Sequence, residues 1–185
     1  MTIVIGVVEG TQVWMGSDSL ASDDVQAFVL QRPKLFCRRV GKRPLLMGLS
    51  GSVRIAQIAE CLSLPKAGRK VDAYLFMLEM AEALRLALRD KGAGGETNGE
   101  QWGEFTLMAA FAGRLFIVQS DYSVLERCPY AAIGSGELYA LGSLHATRDS
   151  GLRPETRLLE ALAAAEHFDP HCRRPFYVRV CVHHA

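Results

Sequence analysis

The chain has almost no net charge: 21 Lys and Arg stand against 20 Asp and Glu, a formal balance of +1 over 185 residues. A domain that wraps nucleic acid through its phosphates carries a basic excess, so that class is set aside. No apolar run approaches the roughly 20 residues of a membrane helix, and no membrane partner is expected. The N-terminus lacks a basic leader followed by an apolar stretch, so no secretory signal is expected. Cysteine is scarce. Cys37, Cys61, Cys128, Cys172 and Cys181 are odd in number, widely spread and without a CxxC. That usage points to reduced thiols in a cytoplasmic protein, mostly buried as small apolar side chains. His167, His171, Cys172, Cys181, His183 and His184 form no strong zinc-ligand spacing, so neither metal nor cofactor is expected.

What is present is a soluble composition, 49% apolar and 22% charged. The length suits one domain over residues 1–185 with a sizeable core. "TIVIGVV" and "TQVWMGS" are β-rich and joined at "EG", which predicts a hairpin. "KLFCRRV" and "PLLMGLS" predict a second around Gly41–Lys42. "SVRIAQIAECLSL" predicts a helix capped by Ser52 and ended by Pro65. "VDAYLFMLEMAEALRLALRDKG" is the strongest helical segment, with Met77, Leu78, Met80 and Leu84 expected in its core-facing side. "GAGGETNGEQWG" reads as a flexible loop, anchored if at all by Trp102. "FTLMAAF", "GRLFIVQ" and "YSVLER" read as a meander. Two further helices follow, the second with Pro154 at its start, and "RPFYVRVCV" closes as a strand. Strands, two helices, strands, two helices and a strand do not make a doubly wound parallel sheet. The expected fold is α+β: two antiparallel sheets stacked face to face with helices outside, an αββα sandwich.

Five short stretches could carry chemistry. Thr2 directly follows Met1. If Met1 is removed, one residue holds both a hydroxyl and an α-amine that titrates near about 8, a nucleophile with its own base. Asp18 ends a strand in "MGSDSLAS", and Lys34 begins one in "QRPKLF". Together they read as a surface ion pair or as a cation held where negative charge develops on Thr2. "LMGLSGSVRIAQ" turns from strand to helix at Gly51, whose backbone N–H could stabilise an oxyanion. "AAIGSGELYALGSLHA" has the same shape, with Ser135 just before the helix. Its glycines complete no G-x-G-x-x-G, so a dinucleotide site is excluded.

In order, "VWMGSDSLAS", "PKLF", "MGLSGS" and "AIGSGELYALGSL" behind a threonine resemble a proteasome β-type subunit, an N-terminal threonine peptidase of the Ntn-hydrolase class. The resemblance spans most of the chain. Its bacterial branch, the β-proteobacterial homologue, fits ahead of the hexameric heat-shock protease subunit. It implies Thr2 as nucleophile, Lys34 beside it, Asp18 orienting Lys34, and Ser135 and Asp169 as the shell around the amine. It further implies Gly51 as oxyanion donor, Ser22 and Gly51 where an extended peptide pairs, and Leu49 near the pocket for the residue before the cut. It implies polypeptide substrates and a homo-oligomeric double ring of seven subunits per ring, with six as the alternative. It also admits an AAA-type ATPase unfoldase as partner. The family's Asp-x-x-Ser segment departs here to "DPHCRR", with Cys172 for the serine and Arg173–Arg174 for glycines, and Leu20 replaces a basic residue. A ring scaffold of little or no activity and a small-molecule amidase are the competing readings.

Overall fold

The computed structural model describes residues 2–22, 26–68, 72–97 and 99–183. Strands β1 (Ile3–Glu9) and β2 (Gln12–Ser17) form the expected hairpin. With β12 (Tyr130–Gly134) and β13 (Tyr177–Val182) they make a four-stranded antiparallel sheet in the order β12-β1-β2-β13. The second hairpin, β5 (Leu35–Val40) with β6 (Arg43–Gly51), joins β9 (Phe105–Phe111), β10 (Arg114–Val118) and β11 (Val124–Arg127). That sheet runs β11-β10-β9-β6-β5, also antiparallel.

Strand side chains alternate between faces, and here both faces are covered. From β1, Val4 enters the seam between the sheets with Met15, Leu46, Met108 and Leu115. Its neighbours Ile3, Ile5 and Val7 point the other way, onto α3 (Glu137–Ala146) and α4 (Pro154–Phe168). From β9, Met108 and Ala110 face the seam, while Leu107, Ala109 and Phe111 meet α1 (Val53–Glu60) and α2 (Ala73–Asp90). Helix pair, sheet, sheet and helix pair give the four-layer αββα arrangement. Double coverage explains why β1, β6 and β9 read as nearly unbroken apolar runs although their sheets are antiparallel.

Several local expectations are corrected. Helix α1 stops at Glu60 rather than running to Pro65. The Arg38 guanidinium donates to the Glu60 carbonyl and takes up a terminal acceptor there. Ser52 occupies the N-cap of α1 but its side chain makes no capping bond; Asp72 does cap α2, accepting from Tyr74 N and Leu75 N. On α2, Met77, Met80 and Leu84 are buried, whereas Leu78 falls off that stripe and is exposed. The Gly-rich stretch holds a small hairpin, β7 (Gly95–Thr97) with β8 (Glu100–Trp102). Trp102 lies against Gly95 and donates to Thr97 Oγ1 at 3.1 Å. A second short pair joins β3 (Leu20–Ser22) to β4 (Ala27–Val29). Only Cys172 and Cys181 are buried; Cys37, Cys61 and Cys128 are exposed.

Candidate active site

Thr2 stands just before β1, and Asp18 just after β2. The antiparallel register brings Val4 opposite Ser17, so the two residues meet at the same end of the hairpin. Asp18 is fully buried and its carboxylate has four donors. Oδ1 accepts from Ile3 N at 3.1 Å and Lys34 Nζ at 2.7 Å; Oδ2 accepts from Leu20 N at 3.0 Å and Arg173 N at 3.3 Å. That uses the acceptor sites of an ionised carboxylate and fixes its plane.

Lys34 enters from the other sheet, immediately before β5. Its ammonium donates to Asp18 Oδ1, to Thr2 Oγ1 and to the Leu20 carbonyl. Three N–H groups meet three acceptors, so the amine cannot rotate away without losing one. Burial lowers its pKa from the ordinary lysine value, and the Asp18 charge opposes that shift without cancelling it.

The main chain of Thr2 is held from a third direction. Its carbonyl accepts from Ser135 N at 3.0 Å and from Ser135 Oγ at 3.5 Å. This close approach requires Gly134, which has φ +106°; a Cβ there would lie 2.0 Å from the Thr2 oxygen. Asp169 caps α4 nearby, accepting from His171 N at 2.9 Å and from the Cys172 thiol at 3.3 Å. Burial pushes its carboxyl up. Hydrogen bonds from the Ser135 side chain, His171 and Cys172 outweigh that and hold it below the usual range. Burial first, and then the adjacent Asp169 carboxylate, push the Cys172 thiol far up, so it stays a neutral S–H donor rather than a thiolate.

Within "DPHCRR" the Cys172 thiol donates to the Asp169 carboxylate. The Arg173 backbone supplies a donor to Asp18 and an acceptor to Ser19 N at 3.0 Å. Arg174 is engaged with Glu166 of α4, at 2.9 Å from Nε, and its guanidinium lies over Phe176. These backbone contacts, like the Leu20 carbonyl, carry no side-chain signature by which a sequence could reveal them.

Thr2 opens onto a cleft of about 550 Å³, lined also by Ser22, Lys34, Leu49 and Gly51. The expected site residues thus fall into two groups: Thr2 and Asp18 joined through Lys34, with Ser135 and Asp169 behind them, and Ser22, Leu49 and Gly51 on the cleft wall. The Ser22 hydroxyl is buried with no hydrogen-bond partner among the described residues. Gly51 has φ +117° and faces the Glu104 carbonyl so closely that a Cβ would sit 2.1 Å from it. Among the described residues no three His, Cys, Asp or Glu side chains gather into a metal site. Met1 and His184 lie outside those residues.

No family model and no curated protein matches the chain. Solved structures do. BPH of Thiobacillus denitrificans, in complex with epoxomicin, superposes with a TM-score of 0.81 at 20% identity, covering 100% of both chains. HslV of Trypanosoma brucei superposes with a TM-score of 0.75 at 19% identity, over 98% of this chain and 100% of that one. Anbu of Pseudomonas aeruginosa, from a helical assembly, gives 0.69 at 16% identity over 98% and 80%. This is the proteasome-type Ntn-hydrolase fold. In that fold the Thr2–Lys34–Asp18 contact lies where β1, β2 and the strand leading from Lys34 converge, at the mouth of the cleft. No described helix is long and apolar enough to cross a membrane.

Proposed function

We propose that the chain is a proteasome-like threonine endopeptidase, residues 1–185 acting as one cytoplasmic unit that works after Met1 is removed. The observation that carries this reading is the Lys34 ammonium shared between Thr2 Oγ1 and Asp18 Oδ1. A buried cation beside a hydroxyl stabilises negative charge that develops on that oxygen.

With Met1 gone, the Thr2 α-amine, titrating near about 8, takes the proton from Oγ1. Oγ1 attacks the peptide carbonyl carbon and the carbonyl electrons move to its oxygen, which the Gly51 N–H receives. The C–N bond then breaks and the proton passes to the leaving amine, giving an ester on Thr2. Water, deprotonated by the same amine, attacks the ester, and Oγ1 leaves with its proton restored. Asp18 holds Lys34, and Ser135 with Asp169 orients the backbone that carries the amine.

The test compares two purified forms, each verified by intact mass. Protein starting at Thr2 is expected to hydrolyse short fluorogenic peptides and to gain the mass of an epoxyketone. Protein retaining Met1 has an amide nitrogen in place of the amine, and loss of that base costs roughly 10²–10⁴-fold. Equal activity in both forms, or full activity in Thr2→Ala, overturns Thr2 as nucleophile. The scaffold reading is favoured by one feature, the weaker thiol donor of Cys172 at the position of a serine. It predicts that both forms are inert and unlabelled.

As a subunit, the chain is proposed to close into a homo-oligomeric double ring of seven per ring, with six as the alternative, enclosing polypeptide substrates delivered by an AAA-type ATPase. A heterologous contact closes into a ring or runs on as a helix according to its rotation.

A further inference from the structure

The cleft beyond Thr2 changes character along its length. Lys34, Phe36 and Arg38 lie on one face of β5 and its approach, by the two-residue period of a strand. Four residues at about 3.3 Å each place Arg38 roughly 13 Å further along than Lys34. Helix α1 forms the opposite wall with Val53, Ala56 and Glu60. Beside the Lys34 ammonium at Thr2, the lining includes the apolar Phe36, Leu49, Val53 and Ala56. At the end of α1, Arg32 and Arg38 both reach Glu60. Among the described residues Glu60 is the only acid in the lining, against Arg32, Arg38 and Arg179 besides Lys34. The Glu60 carboxylate already accepts from Arg32 at 3.1 Å, and its carbonyl accepts from Arg38. Arg32 holds the Glu60 carboxylate from the solvent side, and Arg38 is half-buried and tied to the end of α1. No described carboxylate lies within ion-pair distance of Arg38.

We infer that the cleft selects a large apolar side chain on the residue whose carbonyl Thr2 attacks and rejects lysine and arginine there, with Arg38 as the specificity-determining residue. The inference rests on Thr2 being the nucleophile. An apolar side chain from that residue meets Phe36 and Leu49. A long basic side chain reaching the same way carries its charge toward the fixed Arg38 guanidinium, where the one carboxylate is already paired. Discrimination then comes from a repulsive element as well as an attractive one.

The experiment uses Met1-free protein and three fluorogenic peptides that differ only in that residue: Leu, Glu or Arg. The Leu peptide is expected to exceed the Arg peptide in kcat/KM by about tenfold or more, the size a modest pocket difference supplies. The Glu peptide, equally polar but of opposite charge, is expected to exceed the Arg peptide as well. Arg38→Glu is expected to narrow the Leu-to-Arg ratio about tenfold, mainly through KM. Arg38→Gln keeps a donor for the Glu60 carbonyl and is expected to narrow it in the same direction, which guards against misfolding of the first variant. Equal turnover of Leu and Arg peptides, a Glu peptide no better than Arg, or a ratio unmoved in both variants overturns the assignment. Epoxyketone labelling of Thr2, read by intact mass, separates the two failures. Labelled protein without the preference overturns this inference alone; unlabelled and inert protein overturns the peptidase reading and this inference with it.

Discussion

Lys34 ties together two other pieces of chain: Thr2 before the first strand, and the stretch after the second that supplies Asp18 and the Leu20 carbonyl. Its three N–H groups radiate from one nitrogen, a geometry that a planar guanidinium does not reproduce. Lys34→Ala is therefore expected to lower peptidase turnover by roughly 10²-fold or more, and Lys34→Arg to recover little of it. A shared loss of folding, read by thermal unfolding, would assign Lys34 to structure instead. Asp169 makes a pH prediction. Its carboxyl is held below the ordinary value of 3.8, so the folded state favours the ionised form. The stability this adds is full above pH 3.8 and is lost as pH falls through the lowered folded value. Wild-type protein should thus exceed Asp169→Asn in denaturant midpoint near neutrality, and the gap should shrink as the buffer is taken below pH 3.8. A gap that does not depend on pH would mean that packing, not charge, is what the aspartate supplies.

Two strand-to-helix turns shape the site, β6 into α1 through Gly51 and β12 into α3 through Gly134. At Gly134 a methyl group would meet the carbonyl of Thr2 itself, in a backbone conformation that L side chains rarely adopt. Gly134→Ala is expected to cost about 1–3 kcal/mol in chemical denaturation and to reduce labelling of Thr2 by displacing its backbone. Gly142, inside α3, is the opposite case, with open space where a Cβ would be. Gly142→Ala is expected to stabilise by about 0.4–1 kcal/mol, because it restricts the unfolded chain without strain in the folded one. Equal effects at the two glycines would refute the geometric account of the first.

On the scale of the molecule, the four layers bury the strands on both faces and leave large apolar side chains on the outside of the helices. Leu138 of α3 is 74% exposed and Phe168 of α4 is 62% exposed, with Tyr139 stacked on Phe168. Exposed apolar side chains in a group suit a chain that is covered by its neighbours in an assembly. Native mass spectrometry at micromolar concentration is expected to find a particle of fourteen chains. A monomer or simple dimer would overturn the ring, and twelve chains would select the six-membered alternative.

The order of strands and helices was legible because apolar periodicity and stop signals are local: the Gly41–Lys42 turn, Pro154 at the start of α4 and the Met77–Met80–Leu84 stripe each report their own neighbourhood. Thr2, Asp18, Lys34 and Ser135 could be singled out in advance because their side-chain types and spacing carry the resemblance. What the tertiary structure alone decided depends on groups with no side-chain signature or on contacts between distant segments. The end of α1 at Glu60 is set by Arg38 from another strand. Asp18 is completed by the backbone of Arg173, 155 positions away. Trp102 finds Gly95 only once the Gly-rich segment pairs with itself. The arginine pair at Glu60 exists only where β5 and α1 converge, since charge in a sequence is counted along the chain but acts through space.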